Sequence, residues 1–352
     1  MPEPHRRTWR IGAGAVAAAA VGAALPFALE MRLARPARAA SDEWRRTPVE
    51  PRGQTPLGVS FRILQAEALG LEAAPALEQL LPYPFPLLRL GAYWNRIEPR
   101  PGAFDTDELD RLLELAESAG KQVVLGLGPV KNFGYPEFFV PGHHLASPLP
   151  EGSLIDERSH PRLLAAAEDH LRRLVERYRG HRSIVAWQVE HEAVDPLGNE
   201  HSWRLAESFV RREVAAVRAA DPDRPILLNG FLPTSQPVRA FQWWSTHDQG
   251  DSLDVAQRLA GIVGIDYYPR HALVGLGPLG LYLDARRSPF RHRRLEQLLG
   301  WAAAHQRAIW IAEGQAEPWE AVTVPPDPGG RTMFSCGPGD LIRTYDDCLG
   351  AA

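Results

Sequence analysis

Residues 87–127 read LLRLGAYWNRIEPRPGAFDTDELDRLLELAESAGKQVVLGL. An apolar run, Leu87–Trp94, opens the stretch and gives way to a turn-rich segment with Pro99, Pro101 and Gly102. Asp105 and Glu108 then form a D-x-x-E capping pattern ahead of Leu109, Leu112, Leu113 and Ala116, which recur at helical spacing. Gly120 stands where a helix-ending glycine belongs. A second apolar run, Gln122–Leu127, follows at once. Strand, helix and strand within about 40 residues make one βαβ unit.

The unit repeats in both directions. Leu57–Ile63 precedes it; Ile184–Val189, Pro225–Phe231, Ile262–Tyr267 and Ala308–Ala312 follow, each about as long as a buried strand. Helix-period segments lie between them. Ser159 and Pro161 open one that carries Leu163, Leu164, Ala167, Leu171, Leu174 and Tyr178, with Gly180 closing it. Others run through Leu205, Phe209, Val210, Val214 and Val217, and through Leu295, Leu298, Leu299 and Ala302. Strict alternation implies a parallel sheet, because parallel neighbours need a helical crossover. Seven such runs in one series favour a closed (β/α)8 barrel, the TIM barrel, over an open sheet. In that fold the chemistry sits at the C-terminal ends of the strands. A long insertion, Pro129–Ser159, falls on that face and carries Asn132, Phe133, Tyr135, His143 and His144.

Composition narrows the choices. The chain has 352 residues, 45% hydrophobic and 23% charged, with a formal net charge of −4. That suits a globular fold with a large core and offers no electrostatic case for nucleic acid. Cys336 and Cys348 are the only cysteines, so no disulfide framework or Cys-rich zinc module exists. His143-His144 has no third ligand at metal-binding spacing. Gly275-Leu-Gly-Pro-Leu-Gly280 fits G-x-G-x-x-G in form only, since it does not open a helix after a strand. Residues 11–29 carry no charge and follow Arg6, Arg7 and Arg10. That is the pattern of an export signal or a membrane anchor. The expected organisation is therefore 1–40 as signal peptide or anchor, 41–56 as a Pro-containing linker and 57–352 as the barrel, with the folded part outside the cytoplasm.

Two strands run straight into carboxylates: Val185-Ala-Trp-Gln-Val-Glu-His-Glu192 and Ile309-Trp-Ile-Ala-Glu313. A carboxylate at a barrel mouth is costly to bury unless used or paired. Two of them suit cleavage of an acetal, one protonating the leaving oxygen and the other attacking the anomeric carbon or activating water. Alternation places Glu190 on the face of Glu192, one step deeper, as a supporting partner behind it.

Arg89-Leu-Gly-Ala-Tyr-Trp-Asn-Arg-Ile-Glu-Pro99, Trp187-Gln-Val-Glu-His-Glu192 and Glu313-Gly-Gln-Ala-Glu-Pro-Trp319 together resemble the second-, fourth- and seventh-strand motifs of clan A glycoside hydrolases. That clan includes family-five cellulases and family-42 β-galactosidases. The resemblance implies Glu192 as acid/base, Glu313 as nucleophile and Arg89 as the arginine that holds the nucleophile ionised. It implies Tyr268, or its neighbour Tyr267, near the nucleophile, and Trp94 and Trp319 as sugar platforms. It also implies a carbohydrate substrate, retention of configuration and no cofactor. His191 stands where the clan has an asparagine that binds the sugar 2-hydroxyl. No eighth strand is visible: a Pro/Gly-rich stretch to Gly339 and a short helix candidate, Asp340–Leu349, end the sequence. The expectation is a fragment or early-terminated form of a longer enzyme, with a gap between Leu57–Ile63 and Ala308–Ala312. These two departures also admit a different reading, a non-catalytic glycan-binding or envelope protein on a degenerate barrel.

Overall fold

The computed structural model describes residues 56–314, with short interruptions at 69, 135–137, 151, 195–202, 234–235, 237–238, 241–243, 245–250, 268–269, 277–278 and 285–287, together with 21–22, 24–25 and 28–34. All seven apolar runs form strands. They are β2 (Gly58–Ser60), β3 (Leu87–Gly91), β4 (Gln122–Gly126), β6 (Ile184–Gln188), β8 (Ile226–Phe231), β9 (Ile262–Tyr267) and β12 (Ala308–Gly314). They pair in chain order, all parallel, in one seven-stranded sheet whose edges are β2 and β12.

Helices fill the crossovers: α1 (Ile63–Ala68), α2 (Ala73–Leu80), α3 (Trp94–Ile97), α4 (Asp107–Ser118), α5 (Pro161–Tyr178), α6 (Glu207–Ala220), α7 (Ser252–Leu259) and α8 (Pro289–His305). Apolar positions expected to face the sheet do so; Leu109, Leu112, Leu113 and Ala116 of α4 are all buried. A fully buried leucine such as Leu112 contributes about 1.5–3 kcal/mol through removal of its apolar surface from water. The cap of α4 differs from the D-x-x-E reading. Thr106 is the capping residue and makes no side-chain cap bond, while Asp105 Oδ1 accepts from the Asp107 N–H at 3.2 Å. Gly120 does end the helix, with φ at +68°.

The two faces of the sheet bury different things. The large core lies between strands and helices. A second, small cluster of Val124, Ala186, Leu227 and Ile262, flanked by Leu87 and Trp310, fills the inner face. Alternation then dictates what comes next on that face. Two residues beyond Leu87, Ala186 and Leu227 stand Arg89, Gln188 and Asn229; four beyond Ile262 stands Asp266. A polar layer thus sits on an apolar floor at the C-terminal end of the sheet.

The sheet curls into a nearly closed barrel. Among the described residues β2 and β12 do not pair with each other, so the expected gap lies between them. Five strands escaped the sequence reading. β1 (Met31–Ala34) pairs antiparallel with β11 (Leu279–Asp284), which forms a hairpin with β10 (Arg270–Leu276), and β5 (Leu154–Ile155) pairs with β7 (Arg204–Leu205). β1 lies within the stretch read as export segment. No helix among the described residues is long and apolar enough to cross a membrane.

Candidate active site

Glu313 reaches the inner face through an irregularity. The pairing of β12 with β9 shifts register between Ile311 and Glu313, so that Glu313 stands opposite Asp266. Trp310 packs inward, and simple alternation from it would turn Glu313 out; the bulge at Ala312 restores the inward direction. Gly264 makes room, since a Cβ there would lie 3.0 Å from the Ala312 Cβ and 2.8 Å from the Asn229 Cβ.

The Glu313 carboxylate is met by a guanidinium at each oxygen. Arg89 Nη1 donates to Oε1 at 2.6 Å, and Arg62 Nη2 donates to Oε2 at 3.0 Å. Arg89 is buried, lies 4.0 Å from the Phe133 ring centroid, and donates through Nε to Gln188 Oε1 at 2.7 Å. Gln188 Nε2 donates to Asn229 Oδ1 at 2.8 Å, and Asn229 Nδ2 donates to Asp266 Oδ2 at 2.6 Å. Asp266 in turn hydrogen-bonds the Glu192 side chain. One buried chain of contacts thus joins Glu313 to Glu192.

His191 Nδ1 faces two groups that can only donate, Arg89 Nη2 at 3.3 Å and Asn229 Nδ2 at 2.9 Å. Nδ1 is therefore the acceptor and Nε2 carries the proton. Burial pushes the imidazole pKa down to about 3, against the pull of Glu313, so the ring is neutral at pH 7. Nε2 lies 3.9 Å from Glu313 Oε1, too far for a hydrogen bond.

The segment after β6 departs from strand geometry. Glu190 and Glu192 have φ of +57° and +42°, the left-handed region that costs a residue with a Cβ. The turn is held from the insertion after β4. Val130 N and Lys131 N donate to the two oxygens of Glu190 at 3.0 and 2.5 Å, and Lys131 Nζ donates to the Glu192 carbonyl at 2.6 Å. His191 N donates to the Lys131 carbonyl at 3.1 Å. Only glycine fits at position 128, where a Cβ would lie 2.0 Å from the Lys131 carbonyl oxygen and 2.9 Å from the Glu190 Cα. The strand ends at Gln188, so alternation does not carry Glu190 onto the face of Glu192. Glu190 instead hydrogen-bonds Glu213 of α6. Burial raises both carboxyl groups, Glu190 to about 7 and Glu213 well above its usual value with the Glu190 charge adding to the effect.

Trp94 is not at the mouth. It is fully buried, stacked between His144 and His170 at centroid distances of 4.7 and 5.0 Å, and its indole N–H donates to Glu98 at 2.8 Å. A fully buried ring has no face open to a sugar, so Trp94 is a core residue. His143 and His144 do gain a third partner that sequence spacing did not show. Their Nε2 atoms lie 3.1 Å from Oε1 and Oε2 of Glu98, and the three ligand-type atoms fall within 4.8 Å of one another. Each Glu98 oxygen also accepts a further N–H, from Gly102 or Trp94. The carboxylate is thus satisfied without a cation, and these bonds pin the insertion to the β3–α4 connection. Tyr268, Trp319 and both cysteines lie outside the described residues.

Sequence reasoning missed Arg62, Gln188, Asn229 and Asp266. Asp266 ends an apolar strand as Glu313 does, and the same rule applied to β9 points to it. Gln188 and Asn229 are polar residues inside apolar strands, a detectable signal. Nothing in the sequence singles out Arg62.

Comparison with known proteins places this geometry in context. A family model described as β-galactosidase matches residues 86–211, which include Arg89, Glu190, His191 and Glu192. β-Galactosidase BgaB of a Geobacillus strain is 28% identical over 115 residues, 30% of this chain and 17% of that enzyme. The match thus spans less than a fifth of the relative's length. Endo-1,4-β-xylanase A of Phanerodontia chrysosporium is 26% identical over 147 residues, 39% of this chain and 31% of that one. Among solved structures, GH5_18 from Streptomyces cattleya, in complex with GlcNAc, superposes with a TM-score of 0.51 at 16% identity, covering 78% of this chain and 65% of that one. That likeness concerns the fold. The resemblance to clan A glycoside hydrolases drawn from the strand-end motifs agrees with the family model and with the curated relatives.

Proposed function

We propose that this chain is a glycoside hydrolase that cleaves β-linked glycosidic bonds in oligo- or polysaccharides with retention of configuration. The observation that carries the reading is Glu313, a buried carboxylate clamped by Arg89 and Arg62 at the barrel mouth and linked by hydrogen bonds to Glu192. Glu313 is the nucleophile: fixed and charge-paired, it attacks the anomeric carbon. Glu192 is the acid/base: it protonates the leaving oxygen, then takes a proton from the water that releases the glycosyl-enzyme. Arg89 and His191 line the sugar site. The Nε2–H of His191 offers the donor that an asparagine amide supplies in the clan. Glu190 supports the Glu192 turn from behind. We read the gap between β2 and β12 as the place an eighth strand occupies in a (β/α)8 barrel. The uncharged run 11–29 behind three arginines is the reason to place the activity outside the cytoplasm.

The test is a panel of aryl β-glycosides and β-linked polysaccharides, followed by trapping with a 2-deoxy-2-fluoro glycoside of the preferred sugar. Labelling of Glu313, found by peptide mass, supports the reading. An inverted product by NMR, or no turnover across the panel with sugar binding retained, overturns it.

A further inference from the structure

Asp266 is fully buried on the inner face of β9 and belongs to no step assigned above. Its surroundings come from four elements. Asn229 of β8 donates to its Oδ2 at 2.6 Å. Glu192, after β6, hydrogen-bonds its carboxyl group. Glu313 of β12 stands opposite it in the register, and Arg89 of β3 is the nearby cation. His191 approaches through Asn229 and is neutral. An amide N–H can only donate, so the Asn229 contact makes Oδ2 an acceptor. Two carboxyl groups bond to each other only when at least one proton lies between them.

We propose that Asp266 is the positioning residue of the acid/base, holding Glu192 in a proton-sharing carboxyl pair that keeps it protonated and aimed through neutral pH. The proposal rests on the reading of Glu192 as the acid/base. The proton balance closes over the two steps. Glu192 gives its proton to the glycosidic oxygen, which takes the electron pair of the breaking C–O bond while Glu313 bonds to the anomeric carbon. Glu192 and Asp266 are then adjacent carboxylates, with the Asn229 amide and the Arg89 charge beside them. Their repulsion is relieved when Glu192 takes a proton from the attacking water, whose oxygen displaces Glu313. The environment agrees: burial first, then the Glu313 charge, raises the Asp266 carboxyl to about 8, against the pull of Glu192, Arg89 and Asn229.

The test uses the full chain and Asp266→Asn, which keeps the shape and removes the charge. The Glu192 carboxyl, followed by carbon-13 NMR, is expected to titrate at least one pH unit lower in Asp266→Asn. The alkaline limb of kcat/KM is expected to move down with it. Glycosides with poor leaving groups are expected to lose at least tenfold at pH 8, and dinitrophenyl glycosides less than threefold at pH 5.5. Asn229→Ala removes the donor on Oδ2 and is expected to move the limb upward, which gives a test if Asp266→Asn does not fold. A Glu192 titration and an alkaline limb unchanged in both variants overturn the proposal. An inactive wild-type chain whose Glu192 titration still drops in Asp266→Asn supports the pairing and overturns the glycosidase reading instead.

Discussion

Arg62 Nη2 lies 3.0 Å from Glu313 Oε2, and this ion pair spans the two unjoined edges of the barrel. Arg62 follows β2 and Glu313 lies on β12, so the contact links two edges that do not pair with each other among the described residues. It also places a second cation on a carboxylate already bound to Arg89.

The two arginines are expected to differ in weight. Arg89 is buried, and Arg89→Ala strands Glu313 without its closer partner; breaking such a buried pair costs about 3–5 kcal/mol. Arg62 is partly exposed, and Arg62→Ala is expected to cost about 1 kcal/mol or less. Urea unfolding of both variants at pH 7 measures this. Equal losses contradict the assignment of the buried contact as the dominant one.

Roles at the mouth separate by leaving group. Glu313→Gln is expected to abolish turnover on every substrate. Glu192→Ala is expected to lose about 10²–10⁴-fold on substrates with poor leaving groups, the usual range for a general acid, and far less on activated aryl glycosides. Azide should restore turnover in Glu192→Ala. Rescue of Glu190→Ala in its place would exchange the two roles.

The Glu190–Glu213 pair makes a statement about stability and pH. Glu190 is raised from 4.5 to about 7, so its folded-state pKa exceeds the unfolded one. Its stabilising effect is present below about pH 4.5 and is lost as the pH rises toward 7. Glu213→Gln keeps a hydrogen-bonding side chain without the second acid. The variant is expected to lose less stability than wild type between pH 4.5 and 7. Parallel curves of thermal midpoint against pH contradict this.

Glu98 works in the opposite sense. Hydrogen bonds from His144, Trp94, His143 and Gly102 outweigh burial and hold it at about 2, below its usual 4.5. Its contribution is present above about pH 4.5 and is lost as the pH falls toward 2. Glu98→Gln is expected to be less stable than wild type at pH 7 and level with it near pH 2. Limited proteolysis should then cut first within residues 129–159. Unchanged cleavage there refutes the pinning role of Glu98.

The positions of the strands and two of the carboxylates were legible from the residues alone. Runs such as Ile184–Val189 and Ile262–Tyr267 are apolar on successive residues because both faces of a parallel strand are covered, and that condition is written locally. A carboxylate at the end of such a run is visible for the same reason, as an exception to burial. Trp94 shows the limit, since an aromatic in a motif looks the same whether its faces meet a sugar or two histidines.

What the sequence determined is the alternating order of strands and helices, with Glu192 and Glu313 closing two of the apolar runs. Each follows from side-chain periodicity, which depends only on neighbours along the chain. The tertiary structure decided which way those groups point and what they touch. The bulge at Ala312 turns Glu313 inward, the left-handed turns at Glu190 and Glu192 carry Glu190 back to α6, and Asp266 meets Glu192 across the barrel. These contacts join residues on different strands, and they depend on how the whole sheet shares its curl and register. That balance is struck between elements far apart in sequence, so no local pattern records it.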